Sequence, residues 1–250
     1  MIAVSGDTML IAFRGSKWIK DYLIDAEFFQ RSSNVNEVRG KVHSGILRHY
    51  KNLRPALVNG IESRRHKVKK IFVTGHSLGG GLAQLTSLYI AKNKLPIKGL
   101  YTSAAPRLGD AEYLRDLEIH LQEKIYSAIT QLDLVPHLPP SQWLAPEFAA
   151  IVPGDNVFTR WLKGFVEFLN YDVSPGQVTF IPQSGSWKTM KSFEKLSSER
   201  QYWERLKDSI QSGNIWQLFS DLQERFGTHT PEAYLCQLAE AESTKRSSLF

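Results

Sequence analysis

Residues 70–91 read KIFVTGHSLGGGLAQLTSLYIA. Lys70 to Thr74 is β-branched and aromatic, the composition of a buried strand. Leu82, Leu85, Leu88, Tyr89 and Ala91 then recur at helical spacing, and this helix is expected to stop near Lys92-Asn93, ahead of Pro96. Between the two lies Gly75-His76-Ser77-Leu78-Gly79, a G-x-S-x-G pentapeptide. A serine on so tight a strand-to-helix turn takes unusual backbone angles, and the flanking Gly75 and Gly79 remove the side chains that would clash. The turn lifts the Ser77 hydroxyl above the carboxyl end of the strand. It also sets the Leu78 N–H at a helix N-terminus, aimed at a developing oxyanion. The pentapeptide alone is a weak signal; a strand before it and a helix after it make it specific.

Outward from this stretch, strand and helix alternate. Thr8–Phe13 is an apolar run between Asp7 and Arg14-Gly15, read as a strand. Residues 17–29 place Trp18, Ile19, Tyr22, Leu23, Ala26 and Phe29 at three- and four-residue steps, which predicts an amphipathic helix. Residues 42–66 predict a longer one, with Ile46, Leu47, Tyr50, Leu53, Leu57 and Ile61 on one face. Ile97–Ser103 and Ile125–Thr130 read as strands, with a helix over 110–121 between them. Such alternation argues for an α/β fold with a mostly parallel sheet and helices on both faces. After Pro140 the pattern changes. Residues 141–226 hold five of the six tryptophans, a strand over Gln177–Pro182, and a charge-rich helical stretch from about Met190 to Phe226. This insertion reads as an elaboration of one domain spanning 1–250, because no Gly/Ser/Pro linker sets it apart.

The chain has 250 residues, 42% hydrophobic and 22% charged, which supplies a core and excludes disorder, collagen and coiled coil. Its one cysteine, Cys236, excludes an intrachain disulfide and suits a reducing, cytoplasmic setting. The start carries no basic and apolar pattern of a signal peptide. The run Ser77–Ala91 is 15 residues with Gln84, Thr86 and Ser87 in it, short of the roughly 18–20 that a membrane helix needs. The net charge of +6 is mild. Its densest run, Arg64–Lys70, precedes the nucleophile strand and so falls at the amino end of the sheet, away from the cleft. No nucleic-acid partner is expected. No metal-ligand spacing, phosphate loop or dinucleotide fingerprint occurs, so no metal or cofactor is expected.

Four further segments share a pattern with the pentapeptide. They are Leu10–Ser16 (LIAFRGS), Val42-His43-Ser44-Gly45, Ala105–Gly109 (APRLG) and Asp133–Pro139 (DLVPHLP). In this order, over about residues 8–140, they resemble the fungal-type class 3 triacylglycerol lipase family. The resemblance implies the α/β-hydrolase fold and hydrolysis of lipid esters through an acyl-enzyme. Two departures stand out. Ile46 replaces the usual Phe after V-H-x-G, and the F-R-G-S strand begins within the first ten residues, where the family has a helix and strand before it.

In that fold the order along the chain is Ser, then Asp or Glu, then His. Asp133 follows Ser77 by 56 residues, just past a predicted strand, and is the expected acid. His43, His49 and His66 precede the serine, His76 sits inside the elbow, His120 lies on a helix face, and His137 is too close to Asp133. His229 remains, in a late loop, and Tyr234 follows it as the family's pattern implies. The gap from Asp133 to His229 is longer than that pattern needs. The resemblance assigns Ser16 to the oxyanion hole beside the Leu78 N–H. Asp25, nine residues on, is a candidate to orient the Ser16 hydroxyl, and Gly75, His76 and Gly79 support the elbow. The resemblance also implies a lid over residues 17–29, hence interfacial activation; a helix packed permanently on the core would show the same periodicity. A lipid or ester substrate and peripheral contact with a membrane or lipid-droplet surface are the partners expected. An acyltransferase with the same triad, or a lipase-like lipid-binding or signalling domain without turnover, would carry the same residues.

Overall fold

The computed structural model describes residues 1–15, 29–33, 35–144, 157–173, 176–181, 187–190, 200–205, 207–208, 225 and 227–247. Its frame is a seven-stranded sheet built around the strand that leads into the pentapeptide. In chain order the sheet strands are β1 (Ile2–Ser5), β2 (Thr8–Phe13), β5 (Lys70–His76), β6 (Ile97–Ser103), β7 (Ile125–Thr130), β8 (Gln177–Ile181) and β9 (Lys188–Met190), and they lie side by side in that order. The five from β2 to β8 are parallel, and β1 and β9 close the edges antiparallel. A separate pair, β3 (Gln30–Ser32) and β4 (Lys41–His43), lies between β2 and β5 in the chain.

One face of the sheet is dry. Met9, Ile11, Ile71, Val73, Ile97, Leu100 and Ile125 bury there against helices α1 (Ser44–Glu62), α2 (Leu78–Lys92) and α3 (Ala111–Leu121). α2 is buried nearly all round, from Gly79 to Ile90. α1 is amphipathic: Ile46, Leu47, Tyr50, Leu57 and Ile61 face inward, each adding roughly 1.5–3 kcal/mol by burial. Leu53, expected on that face, is 46% exposed. It follows Tyr50 by three positions, at the margin of a stripe that Tyr50, Leu57 and Ile61 centre elsewhere. Asp110 caps α3, accepting from the Tyr113 N–H at 2.9 Å, and also takes the Lys41 N–H at 3.1 Å. The segment before β4 is pinned to α1 by Glu37, which holds Arg54 through both oxygens and accepts from the Tyr50 hydroxyl.

The other face is covered in part by α5 (Pro231–Ser247), which packs on β8. A groove of about 860 Å³ runs between this helix and the sheet, with Tyr101, Tyr126, Trp187, Leu235 and Leu238 among its walls. Tyr101 and Tyr126 are paired across β6 and β7 and stack at 5.0 Å.

The sequence stretch from 190 onward departs from the expected helix at its start, because Met190 ends the edge strand β9 with its side chain buried. Residues 200–205 are helical as expected, and 191–199, 206, 209–224 and 226 lie outside the described residues. A further helix, α4 (Val157–Leu169), occupies the insertion. Among the described residues no helix is long and apolar enough to cross a membrane.

His43 ends β4 fully buried, and its backbone N–H donates to the Leu108 carbonyl at 2.8 Å. Burial lowers its pKa to about 4, from 6.5. The unfolded chain therefore binds a proton here that the folded chain refuses. Stability is fully present above pH 6.5 and is lost as pH falls toward 4, by up to about 3 kcal/mol. The urea midpoint is expected to fall between pH 7 and pH 4.5, and to fall less in His43→Gln; an unchanged slope in that variant would place the effect elsewhere.

Candidate active site

The carboxyl end of β5 runs straight into the turn that the pentapeptide predicts. Ser77 has φ 57° and ψ −131°, a conformation that a residue with a side chain enters only under strain. Neighbouring backbone holds it there: the Ser77 N–H donates to the Ser103 carbonyl at 3.0 Å and its own carbonyl accepts from the Gly80 N–H at 2.8 Å. The glycines are steric requirements. A Cβ on Gly75 would overlap the Gly79 carbonyl, and one on Gly79 would come within 2.5 Å of the Phe13 carbonyl. The end of β2 thus lies against the elbow. A Cβ placed on Gly15 would stand 3.1 Å from the Ser77 Cβ. Leu78 opens α2, so its N–H has no intrahelical acceptor.

Asp133 follows β7, in the next parallel strand but one from β5, and is fully buried. Its carboxylate is saturated with donors. The Val135 N–H reaches Oδ1 at 2.9 Å and the Tyr234 hydroxyl reaches Oδ2 at 2.7 Å. His229 Nδ1 stands 2.9 and 2.8 Å from the two oxygens. A carboxylate only accepts, so Nδ1–H is the donor of this pair. Nε2 is buried and has no hydrogen-bond partner among the described residues, Ser77 Oγ included. Contacts at an active site often close only around substrate.

His76 links the nucleophile turn to the histidine loop. Its Nε2–H donates to the His229 carbonyl at 2.8 Å, which leaves Nδ1 to accept from the Ser103 hydroxyl at 3.0 Å. The two imidazole rings lie 5.0 Å apart. Burial lowers the His76 pKa, so the neutral form that this chain of bonds requires is also the favoured one. Sequence reading assigned His76 only to support of the elbow, since nothing local signals a bond across 153 residues. Tyr234 entered as a spacing mark, and in the fold its hydroxyl bridges the Asp133 carboxylate and the Thr130 N–H.

Asp133 and His229 therefore pair beyond the carboxyl end of β7, His229 is tied through its carbonyl to His76, the residue before Ser77, and the Leu78 N–H follows Ser77 at the start of α2. Ser16, Asp25 and the 17–28 part of the expected lid lie outside the described residues. Of the other histidines, His120 is about one-third exposed and donates to the Asp116 carbonyl, while His137 is buried. The basic run 64–70 sits at the start of β5, with Arg65 paired to Glu62.

The sequence profile of the family described as Lipase (class 3) matches residues 10–143, more than half of the chain. The chain belongs to the class 3 lipase family. It is 34% identical to a lipase of Rhizomucor miehei over 147 residues, which cover 55% of this chain and 39% of that one. It is 32% identical over 166 residues to a lipase of Rhizopus niveus, 62% of this chain and again 39% of the relative. The matches thus span well under half the length of these relatives. Among solved structures, the triacylglyceride lipase of Rhizomucor miehei superposes with a TM-score of 0.55 at 25% identity, over 72% of this chain and 60% of that one. A Penicillium cyclopium protein gives a TM-score of 0.56 at 20% identity, over 78% of this chain and 66% of the other, a likeness of fold. The α/β-hydrolase fold expected of this lipase family member is the fold observed.

Proposed function

We propose that the chain is a serine hydrolase of lipid carboxylic esters, working through an acyl-enzyme, in a single domain of residues 1–250 whose 141–226 insertion extends the sheet through β8 and β9. The observation that carries this reading is the buried His229–Asp133 pair, whose Nε2 has no hydrogen-bond partner among the described residues, in a chain that holds a strained serine at a helix N-terminus. His229 Nε2 takes the Ser77 proton as Oγ attacks the ester carbonyl, and Asp133 stabilises the imidazolium that forms. The Leu78 N–H, and by family resemblance Ser16, receive the oxyanion. The imidazolium then protonates the leaving alcohol, and water returns through the same base to release the acid. No step calls for a cofactor.

The relatives' names point in more than one direction for substrate. One from Nicotiana tabacum is a triacylglycerol lipase and one from Fusarium solani a secreted mono- and diacylglycerol lipase. Our reading is a long-chain acyl ester presented at a lipid surface, met from a reducing compartment by a chain whose single cysteine is exposed. Hydrolysis of p-nitrophenyl esters from C2 to C16 tests it. Turnover that rises with chain length and jumps at the substrate's solubility limit is the expected result. A folded protein that cleaves no ester of any length would sink the reading and leave a binding domain in its place.

A further inference from the structure

Asp133 and His229 are 96 residues apart and sit on different loops, yet their useful geometry tolerates only about 0.5 Å of error. Each loop is stiff by itself. The acid loop is tied by the Val135 N–H to Asp133, and by Arg107 Nη1, which donates to the His137 and Pro139 carbonyls at 2.6 and 2.7 Å. The histidine loop is tied by the Thr228 hydroxyl, which donates to the Arg225 carbonyl at 2.9 Å. The His229–Asp133 pair and the Tyr234 hydroxyl on Asp133 join the two loops directly, and a further tie lies in the insertion. Tyr202 is 1% exposed, and its ring stacks on His137 with centroids 4.1 Å apart and planes at 18°. The Arg225 guanidinium carbon lies 4.7 Å from the centre of the same ring. His137 is four residues past Asp133, and Arg225 is four residues before His229.

We infer that Tyr202 is a positioning residue: through the His137–Tyr202–Arg225 stack, the insertion holds the Asp133 loop and the His229 loop in register. The clamp rests on the proposed hydrolase reading for its effect on rate. It acts through the face of an aromatic ring, so it needs the ring and not the hydroxyl. Trp203, buried and edge-on to Tyr202 at 5.5 Å, backs the ring and limits its movement. Burial, with the charges of Arg107, Arg225 and Arg205, lowers the His137 pKa and keeps that imidazole neutral. A neutral ring can stack beside a guanidinium without repelling it.

The test compares Tyr202→Leu, which keeps an apolar side chain and removes the ring, with Tyr202→Phe. On a p-nitrophenyl ester that the wild type cleaves, Tyr202→Leu should lose about 10- to 100-fold in kcat, the cost of an ångström-scale displacement, with KM within about twofold. Tyr202→Phe should restore kcat. The downfield proton resonance of the His229 Nδ1–H bonded to Asp133 should shift or vanish in Tyr202→Leu and persist in Tyr202→Phe. A folded Tyr202→Leu that keeps both its kcat and this resonance overturns the clamp and reduces Tyr202 to core filling. If Tyr202→Leu does not fold, Arg225→Gln, read in the same two ways, decides the matter. If the wild type cleaves no ester, the hydrolase reading fails by itself, and the resonance still tests the clamp.

Discussion

Ser77→Ala should lower kcat for ester hydrolysis by about 10⁴- to 10⁶-fold while leaving the fold intact. The size follows from the proposed role of Ser77 Oγ as the atom that carries the acyl group; what survives its removal is water attack helped by binding and by the Leu78 N–H. The fold should tolerate the change because the strain at Ser77 belongs to its backbone, at φ 57°, and is held by bonds from the Ser77 and Gly80 N–H groups. Alanine has the same Cβ and makes the same backbone bonds. A p-nitrophenyl ester assay beside a thermal melt checks both halves. Hydrolysis within tenfold of wild type would mean that another group is the nucleophile, and a large fall in melting temperature would mean that the hydroxyl carries stability that the backbone account omits.

The parts of this fold legible in the sequence are those whose cause is local. Ile97–Ser103 and Ile125–Thr130 are strands at the predicted bounds because each is an apolar run closed by turn residues. The Ser77 elbow is legible for the same reason, since strand, turn glycines and helix adjoin one another. β1 was not predicted: its four residues leave Val4 exposed at a sheet edge, where pairing with β2 rather than a buried apolar pattern makes the strand. The short β3–β4 pair has the same origin. Met190 looked like a helix start because its charged neighbours repeat, and pairing with Val178 overrides that pattern.

The site divides along the same line. Ser77 could be read from five residues together with the strand and helix that flank them. Asp133 and His229 needed the order of the fold as well. The bonds that tie them, from His76 to the His229 carbonyl, from Tyr234 to Asp133 and from Tyr202 to both loops, join positions far apart in the chain, and no periodicity encodes them.

Asp133→Asn should cost about 10⁴-fold in kcat, and the reason lies in the donor count around this carboxylate. As an aspartate it only accepts: from the Val135 N–H at Oδ1, from the Tyr234 hydroxyl at Oδ2, and from His229 Nδ1–H at both. An asparagine must turn one of those positions into a donor. An amide NH₂ at the Oδ1 position would oppose the Val135 N–H, whereas the Tyr234 hydroxyl can rotate to accept one at the Oδ2 position. The amide nitrogen therefore settles at Oδ2, where it also faces His229 Nδ1. A donor there favours the tautomer with the lone pair on Nδ1 and the proton on Nε2, and a protonated Nε2 cannot take the Ser77 proton. Loss of the negative charge removes the stabilisation of the imidazolium as well. Shape and volume are nearly unchanged, so KM and the melting temperature should move little, and the whole effect should appear in kcat. A variant within about tenfold of wild type would show that Asp133 is a structural carboxylate holding the 133–137 turn, and that His229 is oriented by the His76 bond to its backbone instead.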